Sequence, residues 1–167
     1  MSAPSDVGCR VGVDLVDIAE VAEAVQRFGD RYLSRVFTDG ELAVSVGPPE
    51  VRLASLAARF AAKEATIKVL RPPDGAPGWR TIEVVRQPSG ACELQLSGAA
   101  AALARQARLG PMTVSLTHHA GLAAAVVVAL TGGAAPGTRP RFDPQPLTVL
   151  KAALAGIRGG RFAHKEE

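Results

Sequence analysis

Apolar and polar positions alternate with a period of two from Val11 to Ile18. Val11, Val13 and Leu15 fall on one face, and Gly12, Asp14 and Val16 on the other. That period predicts a strand. From Asp17 to Phe28 the pattern turns helical, with Asp17 placed as N-cap, Glu20 and Glu23 near the positive end, and Gly29 as the stop. Asp30 to Phe37 predicts a short helical turn. Thr38 precedes Glu41 by three residues, the spacing of a capping box. Pro48-Pro49 then break the chain before its longest helical pattern, about Val51 to Leu70. At 100° per residue, Leu53, Leu56, Phe60 and Ile67 make one stripe on that helix, and Glu64 falls in the middle of it. Pro72-Pro73 end the pattern, and Asp74 to Gly78 predicts a flexible loop. Arg80 to Gln87 and Ala91 to Ser97 read as a hairpin about Pro88-Ser89-Gly90. Ala99 to Arg108 reads as an alanine-rich helix stopped by Gly110-Pro111. Met112 to Thr117 and Leu122 to Leu130 are two further strands, joined around His118-His119-Ala120-Gly121. Hairpins outnumber βαβ units, so the fold class is α+β, an antiparallel sheet with a long packed helix.

Composition shifts after Leu130. Residues 131–146 are rich in Gly, Pro, Ala and Arg and read as a linker. Leu147, Leu150, Leu154 and Ile157 would share one face of a short helix, and the last residues are polar. The expected division is a domain at 1–130 and a linker and tail at 131–167. At 167 residues, 47% hydrophobic and 21% charged, the chain has a globular profile. Its net charge of +3 is too small to argue for nucleic acid, and it has one Trp and one Tyr to stack on bases. The mild basicity suits a phosphorylated ligand or an acidic partner. The longest apolar run, Leu122 to Leu130, is too short to span a bilayer. Met1 to Asp6 carries no basic stretch followed by an apolar run, so no signal peptide is expected. Cys9 and Cys92 lack metal-site spacing; one disulfide is open to them, and reduced thiols in a cytoplasmic protein fit better.

Three polar groups stand where apolar ones are expected. Asp14 interrupts a strand, Glu64 interrupts a helical stripe, and His118 sits at a strand end. A buried carboxylate needs a cation, a metal or a chemical task. Two carboxylates from distant segments can hold one hard divalent cation, with water and phosphate oxygens completing the shell. Lys63 and Lys68 would then neutralise phosphate charge or move a proton. Plainer roles stand beside these. Glu64 and Lys68 have the spacing of an ordinary helix-surface pair. Arg59 and Lys63 suit solvated helix charges, Phe60 suits the core, and His118 suits a strand cap.

The segment Gly12-Val13-Asp14-Leu15-Val16-Asp17-Ile18, followed by Arg59-Phe60-Ala61-Ala62-Lys63-Glu64-Ala65-Thr66-Ile67-Lys68, resembles the two signature motifs of the 4′-phosphopantetheinyl transferases. The closer similarity is to the small holo-acyl-carrier-protein synthase type. Phe37 to Leu42, the hairpin from Trp79 to Ser97, and Ser115-Leu116-Thr117-His118 resemble further segments of that type. The resemblance spans about Arg10 to Leu130.

It implies transfer of the phosphopantetheine arm of coenzyme A to a serine of an acyl carrier protein, releasing adenosine 3′,5′-bisphosphate. It implies that Asp14 and Glu64 bind Mg²⁺, with Mn²⁺ as a substitute, beside the pyrophosphate. Glu64 would help deprotonate the carrier serine, and Lys68 would contact phosphate. Arg59, Phe60, Lys63 and His118 would line the coenzyme A site, with His119 as a further candidate. It also implies a homotrimer with coenzyme A between subunits, since the chain has a single motif set. The chain departs from the pattern at Glu20 and Asp39, where basic residues are frequent, at Ile67, often Ser, at His119, often Thr or Asp, and in its proline-rich loop. The two acidic departures suggest a less acidic carrier, such as one of secondary metabolism. The residues alone leave open a coenzyme A- or carrier-binding module without transfer activity, or a plain interaction domain.

Overall fold

The computed structural model describes residues 8–131. The expected linker and tail lie outside those residues, apart from Thr131. The elements run β1 (Gly8–Asp17), α1 (Ile18–Phe28), α2 (Asp30–Val36), α3 (Asp39–Val44), α4 (Pro49–Leu70), a 3₁₀ turn (Trp79–Thr81), β2 (Ile82–Arg86), β3 (Cys92–Leu96), α5 (Gly98–Gln106), β4 (Leu109–His119) and β5 (Leu122–Thr131). The five strands form one antiparallel sheet in the order β1-β5-β4-β3-β2. The α+β expectation is therefore met.

Local signals in the sequence explain most element ends. Asp17 caps α1 by accepting from the Ala19 N–H at 2.8 Å. Thr38 and Glu41 form the expected reciprocal capping box at the start of α3. Ala120 and Gly121, at φ +49° and +84°, join β4 to β5 in the left-handed conformation that favours a tight hairpin. His118 and His119 consequently belong to β4 rather than to the connection. Gly110-Pro111 does not stop a helix either. α5 ends at Gln106, and the two residues sit inside β4 where the register shifts between Leu109 and Met112.

α4 lies across one face of the sheet and forms the core. Thr66, Leu70 and the charged Arg59 and Lys63 are buried on it, but most of the buried face is alanine: Ala54, Ala57, Ala58, Ala61, Ala62 and Ala65, joined by Leu56 and Val69. They meet Val16 of β1 and Ala123, Ala125, Val127 and Ala129 of β5. This corrects the stripe expected from the sequence. Leu53, Phe60, Glu64 and Ile67 do share a face, but it is half-buried, and only Leu56 of the expected set is fully inside. Small side chains on both surfaces let the helix settle low on the sheet. The closest approach is at Gly12, where an added Cβ would lie 3.0 Å from the Ala65 carbonyl carbon and 3.0 Å from Val69 Cγ2, and nearer still to the Ala65 oxygen. Only glycine fits there.

The opposite face of the sheet carries no helix among the described residues. Val11, Val13 and Leu15 of β1 are 52%, 54% and 63% exposed, and Leu122 and Val126 of β5 are also exposed. The period-two reading of β1 is correct, but its apolar face points outward and its Gly-Asp-Val face meets the helix.

Candidate active site

The glycine contact brings three of the predicted groups together. With Gly12 against Ala65, Asp14 and Val13 lie beside the last two turns of α4. Lys68 reaches over to donate to Asp14 Oδ1 at 2.8 Å and to the Val13 carbonyl at 2.8 Å. Its partner is thus the strand aspartate, not Glu64 one turn back. Asp14 is 15% exposed and Lys68 51%, so the pair sits at the mouth of the site. Glu64 is half-buried beside them. Burial raises its carboxyl above the ordinary value, repulsion from Asp14 raises it further, and Lys68 partly offsets both. Two carboxylates that repel each other at a partly dry surface are a ready cation site.

Among the described residues no group of three or more His, Cys, Asp or Glu could hold a metal ion. A pair of carboxylates fits a metal that keeps several water and phosphate ligands, the habit of Mg²⁺, and does not fit structural zinc.

Lys63 has another place. Its side chain is fully buried and paired with the fully buried Glu41, Nζ to Oε2 at 2.8 Å. It also donates to the carbonyls of Trp79, at 3.0 Å, and Ile82. Burial lowers its pKa, and Glu41 works against that shift. Neither the solvated reading nor the coenzyme A-lining reading of Lys63 suits an ammonium enclosed in this way. Glu41 is a residue that sequence reasoning treated only as a capping group. Its spacing from Thr38 gave no sign of a partner on α4, because Lys63 lies outside the stripe of large side chains.

Arg59 is likewise inside, 5% exposed, and donates to the Ser55 carbonyl at 3.1 Å and to Ser55 Oγ at 2.5 Å. Its Nε has no partner among the described residues. Burial lowers its pKa, opposed chiefly by Glu41. Phe60 packs against Trp79 with ring centroids 5.3 Å apart, which supports its core reading and leaves it half-buried.

The two histidines part company. His118 pairs with Ala123, in line with Val16, so it shares the helix-covered face with Asp14. Two strands and two residues separate His118 and Asp14, about 12 Å between Cα atoms at standard strand spacings. His119 pairs with Leu122 and belongs to the outward apolar face. Both are exposed.

Of the two acidic departures, Glu20 is exposed on α1, but Asp39 is bound to Arg80 at 3.1 Å. Asp39 therefore adds less free negative charge than expected. At the far end of α1, Phe28 lines a cleft of about 300 Å³ with Arg31, Tyr32 and Arg35. Arg27 lies over the Phe28 ring at 5.1 Å.

Cys9 and Cys92 are both free thiols. Among the described residues no helix is long and apolar enough to cross a membrane.

Comparisons with known proteins give the family and the fold. A family model described as the 4′-phosphopantetheinyl transferase superfamily matches residues 10–127. A holo-[acyl-carrier-protein] synthase of Chloroflexus aggregans is 41% identical over 129 residues, covering 71% of this chain and 92% of the relative. One from Methylobacterium sp. (strain 4-46) is 46% identical over 125 residues, covering 71% and 90%. The fold is similar to the crystal structure of Helicobacter pylori holo-[acyl-carrier-protein] synthase in complex with coenzyme A. The TM-score is 0.61 at 28% identity, covering 72% of this chain and 99% of that one.

Proposed function

The chain belongs to the 4′-phosphopantetheinyl transferase superfamily, and from that premise we propose that it moves the 4′-phosphopantetheine arm of coenzyme A onto a serine of an acyl carrier protein. The observation that carries the reading is the meeting of Asp14, Glu64 and Lys68 at one half-buried surface, made possible by the Gly12 contact. In the reaction the serine Oγ attacks the β-phosphorus of coenzyme A. An Oγ–P bond forms, the P–O bond to the leaving group breaks, and adenosine 3′,5′-bisphosphate departs. Glu64 takes the serine proton. Lys68 is half exposed and hydrogen-bonded to Asp14, so its charge is available to a phosphate oxygen without being free to wander.

Asp14 and Glu64 would hold Mg²⁺, with Mn²⁺ as a substitute. When bound, the ion supplies positive charge to the pyrophosphate and its leaving oxygen. His118, on the same sheet face, and Phe60 line the coenzyme A site.

The outward face of Val11, Val13, Leu15, Leu122 and Val126 supports a homotrimer. A contiguous apolar sheet face needs cover, and coenzyme A held between neighbours would bring His119 of that face into use. The free thiols fit a cytoplasmic setting. The exposed Glu20 favours a carrier less acidic than those of fatty-acid synthesis, such as one of secondary metabolism.

The test is mass spectrometry of apo-carriers incubated with the protein, coenzyme A and Mg²⁺. The expected result is a mass gain of one phosphopantetheine arm on the carrier serine, lost after chelation and restored by Mg²⁺ or Mn²⁺. No gain on any carrier with either metal present refutes the reading. Full transfer by chelated, metal-free protein refutes the metal.

A further inference from the structure

We propose that Glu41 is a positioning residue for the transfer: through Lys63, it sets the rotation of α4 that presents Glu64 to Asp14. The inference rests on the reading of Asp14, Glu64 and Lys68 as the reacting centre. Lys63 and Glu64 are consecutive, so they project about 100° apart around the helix. Whatever fixes the azimuth of one fixes the other.

Lys63 is fixed completely. An ammonium has three N–H donors, and here they face Glu41 Oε2 and the carbonyls of Trp79 and Ile82. Glu41 is equally committed. Its Oε2 also accepts from the Thr38 N–H at 2.9 Å, and its Oε1 accepts from the Val84 N–H at 2.9 Å. The pair therefore ties α4 to α3, to the 3₁₀ turn and to β2 through directional bonds.

Two observations argue that this arrangement does more than stabilise. A buried ion pair is weak evidence for stability, because desolvation of both charges offsets their attraction and apolar replacements are often neutral or better. And much of the rest of the buried face of α4 is alanine, with Leu56, Thr66, Val69 and Leu70 its larger uncharged members, so it offers few ridges to resist a roll of the helix. On the β1 side, the bonds from Lys68 come from an exposed, flexible side chain. The Glu41–Lys63 pair is the rigid stop. A roll of 20° would move a carboxylate about 5–6 Å from the helix axis by about 2 Å. A misplacement of about 1 Å can cost on the order of 100-fold in rate.

The experiment uses the full chain with Glu41→Leu and Lys63→Met together, which removes both charges at once and leaves neither unpaired. Melting temperature, coenzyme A KM, kcat and the half-saturating Mg²⁺ concentration are measured against wild type. The expected result is a near-wild-type melting temperature, KM within about twofold, kcat down about 10- to 100-fold, and a higher Mg²⁺ requirement. A folded double variant with wild-type kcat overturns the proposal. So does a raised KM at unchanged kcat, which would assign the pair to coenzyme A binding. If the double variant does not fold, Glu41→Gln decides. It keeps the shape and the acceptor toward Val84, so lowered kcat at unchanged KM supports positioning and unchanged kcat overturns it. Wild-type protein that makes no holo-carrier would instead sink the transferase reading itself.

Discussion

Replacing Gly12 with alanine tests the contact on which the site depends. The new methyl would stand 3.0 Å from the Ala65 carbonyl carbon and from Val69 Cγ2, and closer to the Ala65 oxygen, where ordinary contacts begin at 3.4 Å. Backbone cannot step aside as a flexible side chain can. Relief needs a lift of α4 from β1 on the order of 1 Å. Overpacking of this kind costs roughly 1–3 kcal/mol, and the stiffer unfolded chain returns about 0.4–1 kcal/mol. The net loss is then about 1–2 kcal/mol, or a fall in melting temperature of roughly 4–10 °C for a domain of this size. The same lift would stretch the Lys68–Asp14 hydrogen bond from 2.8 Å and displace Glu64, so transfer should fall about 10- to 100-fold. Circular dichroism melts and the carrier mass assay read the two effects. Gly8→Ala is the control: in the same strand, its Cβ would meet only the Thr131 hydroxyl, at 2.7 Å, which can rotate away. If Gly12→Ala melts and transfers like wild type, the close approach does not set the site.

Lys68→Ala should leave stability within about 1 kcal/mol, as for other half-exposed pairs, while lowering kcat at saturating coenzyme A; an unchanged rate removes Lys68 from the chemistry. The raised pKa of Glu64 means the folded state binds its proton more readily than the unfolded one, so its contribution to stability is present at low pH and lost as pH rises through the folded value. Glu64→Gln should therefore melt above wild type at pH 8, with the gap closing toward about pH 4, and should not transfer; equal melting curves at pH 8 contradict the strain. Leu15→Glu, on the outward sheet face, should give a monomer by light scattering, and a variant that stays trimeric places the interface elsewhere. Glu20→Arg should speed modification of a strongly acidic carrier, with the gain shrinking as salt rises; no change at low salt ends the charge argument.

Much of the fold could be read from short-range signals. Asp17 as a cap, the Thr38–Glu41 box and the two hairpin-forming pairs of strands each depend on residues within a few positions of one another. What the sequence hid depends on size rather than polarity. Weighting α4 by its large side chains selected Leu53, Phe60 and Ile67, and so the half-buried face was taken for the core. The alanine face, where two elements touch most closely, scores as indifferent. That inversion also misplaced Lys63, which looked like a surface charge until the partner contributed by α3 was known. Asp14 and Glu64 were legible because each is an acid in apolar company; the register that joins them to Lys68 was not, since it depends on which strand residue lacks a side chain. The opposite faces of His118 and His119 follow from β4 running through both, whereas turn-like neighbours suggested an earlier end.

The alanine seam has an evolutionary consequence. A core of large residues can trade volume between neighbours, one shrinking as another grows. A seam built mostly from alanines and one glycine, with Val16, Leu56, Val69 and Val127 its few larger members, has little left to give up, so most substitutions there add volume. Drift on this surface is one-sided, and each added carbon must lift the helix that carries Glu64 and Lys68. The spacing between strand and helix therefore behaves as a gauge that wear can only widen. Variation in this protein should accumulate on the outer arc of α4 and in the loops, and leave the seam as the slowest-changing part of the chain.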